Sequence, residues 1–179
     1  MKRFSCFIVA ATAAWLALTG PAAIAGVPSA LHHMVSPPSC QPVSESDRDK
    51  LMMNNGVWIF RDGETGFARM YCPVSFYGNV GQFENIQLWY IDEFDEHPPY
   101  GFVHTGYVYA ELNQRDRLAP GFVTLAFADS NAGPLGHNFV NWEIAGGPTS
   151  GHSFFVEVQM FRESSTAHVG FVGFVINIQ

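Results

Sequence analysis

Residues His152 to Ile178 read HSFFVEVQMFRESSTAHVGFVGFVINI, and two stretches within them alternate apolar and other side chains with a period of two. Phe154, Val156, Val158 and Met160 fall on one side of the first stretch; Val172, Phe174, Ile176 and Ile178 fall on one side of the second. Successive side chains of an extended strand point to opposite faces, so the spacing predicts two β-strands that each turn one face to a core. Their other sides carry Phe155, Glu157 and Gln159, then Val169, Phe171 and Gly173. That mixture predicts outer faces that are partly covered.

The same signal extends upstream as far as Val57. Apolar and aromatic runs are separated by glycine, proline, asparagine and aspartate clusters such as Asp62-Gly63, Pro98-Pro99 and Gly146-Gly147-Pro148. Eight strands are predicted: Val57 to Arg61, Gly66 to Phe76, Asn85 to Glu93, Phe102 to Leu112, Gly121 to Ala128, Asn138 to Ala145, His152 to Phe161 and His168 to Ile178. Core faces are assigned to Ile86, Leu88 and Tyr90, to Val123, Leu125 and Phe127, and to Val140, Trp142 and Ile144. With no long helical pattern between them, these strands predict an all-β fold, an antiparallel β-sandwich of jelly-roll type, with a closed barrel as the rival.

The N-terminus reads as a secretory signal peptide over residues 1–25. Lys2 and Arg3 form a charged start, Phe4 to Thr19 an apolar stretch, and Ala23 and Ala25 an A-x-A cleavage site. The apolar run is shorter than the roughly 20 residues that cross a bilayer, so a soluble secreted or periplasmic product is expected. Residues 26–55 are read as an extended lead-in with Pro28, Pro37, Pro38 and Pro42, and residues 56–179 as the sandwich domain. Ser44-Glu45-Ser46-Asp47 can cap a short helix running on to Met53, with Asn54-Asn55-Gly56 as its stop.

Cleavage would leave seven lysines and arginines against sixteen acidic residues, a net charge of −9. Such a balance argues against nucleic acid and anionic membranes as partners, since both call for basic clusters. Cys40 and Cys72 are then the only cysteines left, and in an oxidising compartment an even pair reads as one disulfide.

Chemistry-bearing motifs are sparse. Asp92-Glu93-Phe94-Asp95-Glu96-His97 gathers carboxylates without the ordered spacing of a helix-loop-helix calcium loop, so calcium is an expectation only for Asp92 and Asp95. No other cofactor is expected. Seven histidines are present, none at tight metal-ligand spacing, and there is no Gly-x-Ser-x-Gly turn, phosphate loop or dinucleotide fingerprint. Glu111, Glu143 and Glu157 lie on strands as candidate carboxylates for glycoside chemistry.

Aromatic residues give the remaining signal. Trp89 lies opposite the Leu88 and Tyr90 face, and Tyr107 and Tyr109 share one side of their strand. Tyr107 and Tyr109 are therefore candidates for a platform that stacks on sugar rings or seats a protein partner, with Trp89 a further ligand-binding candidate. A non-catalytic module follows from this, with a structural or inhibitory protein-binding role as the alternative and a hydrolase as a third.

With Cys40 and the Cys72-Pro73 step in view, the chain resembles small secreted bacterial proteins of unknown function that carry a cysteine near the mature N-terminus and a Cys-Pro step in an early strand. The resemblance implies a periplasmic or extracellular location and transfers no ligand or catalytic residue.

Overall fold

The computed structural model describes residues 31–76, 82–93, 105–115, 120–144 and 152–178. The expected signal peptide, Asp95, His97 and His104 lie outside them. In chain order the elements are β1 (Leu31–Val35), β2 (Gln41–Pro42), α1 (Glu45–Lys50), β3 (Leu51–Asn54), β4 (Val57–Phe60), β5 (Gly66–Val74), β6 (Phe83–Glu93), β7 (Gly106–Arg115), β8 (Val123–Asp129), β9 (Gly136–Glu143), β10 (Ser153–Arg162) and β11 (His168–Ile178).

Two antiparallel sheets face each other. The first has the order β3-β4-β11-β6-β9, with β1 joining the same edge of β11 as β4; the second has the order β2-β5-β10-β7-β8. Most links pass from one sheet to the other, as in a jelly roll, and the sheets stay separate rather than closing into a barrel. Each predicted strand is present, with ends shifted by a few residues.

Ala68, Met70, Cys72, Val108, Ala110, Leu112, Val156, Val158 and Met160 of the second sheet pack against Ile86, Leu88, Tyr90, Phe171, Phe174 and Ile176 of the first. Each large apolar side chain buried there contributes about 1.5–3 kcal/mol. In β11 a register shift between Phe171 and Gly173 inverts the alternation. Phe171 before the shift and Phe174 and Ile176 after it therefore all reach the core, while Val172 is only half-buried.

β8 departs from expectation. Ala126 and Ala128 point inward, whereas Val123 is 64% and Phe127 40% exposed. A period of two fits either phase, and Val123 and Phe127 suggested the wrong one, whereas Leu125 does pack against the core. In β8, at the sheet edge, the small alanines fill the inner side, and a register shift after Leu112 leaves Leu125 without a rung.

The lead-in is more structured than a tether. Residues 31–35 add a strand to β11, and Ser44 caps α1 through a capping box with Asp47. The helix ends at Lys50, and Asn54-Asn55-Gly56 closes a hairpin instead of stopping a longer helix. Asn54 pairs with Val57 across a two-residue loop whose members, Asn55 and Gly56, have φ of 49° and 81°. Positive φ at both positions is what a type I′ turn needs, and Asn-Gly supplies it with little strain.

Cys40 and Cys72 form the expected disulfide. Gln41 pairs with Tyr71 and Pro42 with Met70, so the disulfide occupies the next rung of the β2–β5 ladder, with Cα atoms 4.1 Å apart. At the other end of β10, buried Arg162 donates to the carbonyls of Arg61, Ser164 and Ser165 and lies over the Phe60 ring. It ties the β4–β5 and β10–β11 turns together.

Candidate functional site

Alternation along β5, β10, β7 and β8 sends every second side chain to the outer face of the second sheet, and the registers align them in rows. Phe67, Phe161 and Tyr107 make the first row, with ring centroids 4.7 Å apart for Phe67 and Phe161 and 5.5 Å for Tyr107 and Phe161. Arg69, Gln159, Tyr109 and Asp129 make the second. The third holds Tyr71, Glu157, Glu111 and Phe127. Beyond it, Phe155 is covered by Tyr71 and by Phe122, at 4.9 and 5.4 Å. Tyr71, Phe122, Phe155, Arg115, Gly121 and Ser153 line an open pocket of about 360 Å³ at that end.

This face has an aromatic border and a polar centre. Phe67 is 57% exposed, Phe122 55%, Tyr71 45% and Phe127 40%. Phe127 also leans on Trp142 at the edge of the first sheet, at 4.9 Å. In the centre, the Tyr109 hydroxyl donates to Glu111 Oε1 at 2.8 Å, and Arg69 Nη1 stands 3.9 Å from Glu157 Oε1. Burial, followed by the bond to Glu111 and the charges of Glu111 and Asp129, pushes the Tyr109 hydroxyl well above the usual phenol range. Burial and Asp129 raise that of Tyr107 as well. Both hydroxyls therefore remain protonated donors at neutral pH.

The strand bearing Arg69 is fixed from behind, because Asp47 Oδ1 accepts from the Arg69 backbone N–H at 3.0 Å. Asp47 is thus shared between the helix cap and the face, an economy visible only in the fold.

Trp89 lies apart from the Tyr107 and Tyr109 pair. Tyr107 and Tyr109 sit together on the second sheet, whereas Trp89 is on the outer face of the first, stacked on Phe139 at 4.8 Å and 26°. Phe67, Tyr71 and Phe122 belong to the face and were not singled out in the sequence, and Phe127 belongs to it although its period assigned it to the core. The available signal was the alternation of Phe67, Arg69 and Tyr71 against Ala68, Met70 and Cys72.

Asp92 faces the core. It is fully buried on the inner side of β6 and accepts from Ser130 Oγ at 3.0 Å, while Ser130 Oγ also accepts from the Val108 N–H. Among the described residues, no group of three His, Cys, Asp or Glu side chains is placed to hold a metal ion. Of the strand carboxylates, Glu111 and Glu157 are directly opposed across β7 and β10, and Glu143 lies on the other sheet.

No family model and no curated protein matches the chain. Among solved structures, the fold is similar to the low-affinity xylan-binding module CBM86 of Roseburia intestinalis, at 8% identity and a TM-score of 0.50, covering 83% of this chain and 96% of that one. A family 29 carbohydrate-binding module of Piromyces equi aligns at 11% identity and a TM-score of 0.40, covering 84% of this chain and 92% of that one. At these identities the likeness is one of fold. The chain is an antiparallel β-sandwich similar in fold to the first of these.

Proposed function

We propose that the protein is an exported, non-catalytic module that binds a linear glycan on the outer face of its second sheet. The observation that carries this reading is the arrangement of that face: exposed rings at its border, hydrogen-bonding side chains at its centre. Pyranose rings present C–H faces that stack on aromatics and hydroxyls that both donate and accept. Arg69, Gln159, Tyr109, Glu111 and Glu157 supply partners of both kinds within the ring border. A protein interface has the opposite anatomy, with charge depleted at its core and kept for the rim. The likeness in fold to a xylan-binding module accords with the reading.

Phe67 and Tyr71 lie four residues apart on β5, a span of about 13 Å. One sugar ring cannot reach both, so the ligand expected is an oligosaccharide or polysaccharide. The disulfide and the signal-like N-terminus fit action outside the cytoplasm.

Native gels containing soluble xylan, β-1,4-galactan, glucomannan or hydroxyethylcellulose test the proposal. Retardation is expected in at least one gel, with about a tenfold weaker interaction after Tyr71→Ala or Phe67→Ala. Free migration in every gel, or variants that bind like the parent, would overturn it. Because Asp92 faces the core, binding is also expected to survive dialysis against EDTA. Loss of binding that calcium restores would return the acidic 92–97 run to the site.

A further inference from the structure

We infer that the outer face of the first sheet carries a second sugar site, built on Trp89 and separate from the face of the second sheet. It takes the same ligand class as the function proposed above but uses none of its residues.

The register places Trp89 between Phe139 on β9 and Gly173 on β11. Phe139 stacks on one side of the indole; on the other side the neighbouring position, Gly173, has no side chain of its own and is itself buried. Met34 lies over that position, since a Cβ built on Gly173 would stand 3.4 Å from Met34 Cε, in van der Waals contact. Methionine is flexible and polarizable, and can move to admit a ring. Met34 is 60% exposed, Phe139 40% and Trp89 38%.

The next row supplies hydrogen bonds. Gln87 and Asn141 are directly paired two residues from Trp89 and Phe139, on the same outward face. Beyond them, Asn177 donates to Asn85 and bonds to His32. Amides both donate and accept and carry no charge, so a partly exposed indole beside them suits an uncharged sugar ring. A protein partner is the poorer occupant, because stable interfaces bury on the order of 1,000 Å² and this patch is one stacked pair bordered by amides.

Two sites on opposite sheets make the sandwich bivalent, able to hold two segments of polysaccharide back to back. Linked weak sites gain avidity without new contacts. The indole is the strongest contact in the second site, and its loss removes the stacking surface there while leaving the core untouched.

Four proteins decide the matter: the parent, Trp89→Leu, the double variant Phe67→Ala/Tyr71→Ala, and the triple variant with all of these changes. Each is run in native gels containing soluble xylan, glucomannan or hydroxyethylcellulose, after circular dichroism confirms its β content. The double variant is expected to keep part of the parent's retardation and the triple variant to lose it, with Trp89→Leu alone weakening retention about threefold or more. Asn141→Ala, which leaves both rings in place, is expected to weaken the double variant further. The inference is overturned if Trp89→Leu migrates like the parent in every gel that retards the parent, or if the double and triple variants coincide. A double variant that binds like the parent while Trp89→Leu does not would remove the second-sheet reading and leave this one standing. Free migration of the parent in every gel would remove both.

Discussion

Glu111 and Glu157 face each other across β7 and β10, each restrained by one neighbour, Tyr109 and Arg69 respectively. Like charges directly opposed on one face of a sheet cost stability, roughly 0.2–1 kcal/mol for such a pair. Glu111→Gln keeps an acceptor for Tyr109 and removes the repulsion, so it is expected to raise the urea midpoint while weakening glycan binding. A variant both less stable and equally active would show that the pair serves packing rather than a ligand. Titration adds two further residue-scale expectations. Burial against Phe76 lowers the pKa of His33 from its ordinary 6.5, so the unfolded chain takes up that proton first as pH falls. Stability contributed by neutral His33 is therefore complete above pH 6.5 and lost on going below it, and His33→Phe is expected to flatten that part of the stability profile. Tyr90 behaves in the reverse sense. Burial, with Asp92 and Asp129, pushes its hydroxyl up to about 12, so stability is complete below pH 10 and falls between 10 and 12, a loss that Tyr90→Phe should reduce. The same hydroxyl donates to Pro134 O at 2.6 Å in a space kept open by Gly133, where a Cβ would come within 2.2 Å of it.

At the scale of elements, what could be read from the sequence was what period two encodes. Eight strands were legible because their runs are long enough for alternation to show. β2 is a two-residue bridge beside a proline, β1 is five residues interrupted by His32-His33, and β3 runs straight out of a capped helix, so none carries a usable period. Bulges hid the rest: in β11 the inverted phase sends both sides of the strand to the core, and in β8 an edge position lets Phe127 face outward. Tyr107 and Tyr109 could be paired from their spacing alone. Which sheet Trp89 joins could not be read, because that is set by long-range pairing. The disulfide tests how much the short β2 matters. Linking residues 32 apart restricts the unfolded chain by roughly 3 to 4 kcal/mol. Replacing both cysteines with alanine is expected to lower the unfolding free energy by about that amount while keeping the β signature. A protein that no longer folds would mean that the two facing sheets depend on the cross-link.

For the whole molecule, charge restricts the glycans that the proposed site could take. The chain carries nine basic and sixteen acidic residues, a formal charge of −7. On the second sheet's face, Arg69 stands against Glu111, Glu157 and Asp129, so local and global fields have the same sign. A polymer rich in uronate or sulfate would be repelled at a distance and would meet carboxylates on contact. A neutral chain experiences neither effect and finds acceptors for its hydroxyls. The Debye length is about 10 Å at 0.1 M salt, so repulsion of a polyanion should weaken as salt rises while neutral-glycan binding, made of stacking and short hydrogen bonds, should hardly change. Polygalacturonate and a neutral polysaccharide of similar length, compared in native gels at low and high ionic strength, separate these effects. The expected result is retention by the neutral polymer at both salt levels and none by the polyanion at low salt. Retention by polygalacturonate at low salt that disappears as salt rises would mean that Arg69, freed from Glu157, dominates the face, and the ligand class would have to be changed to an acidic glycan.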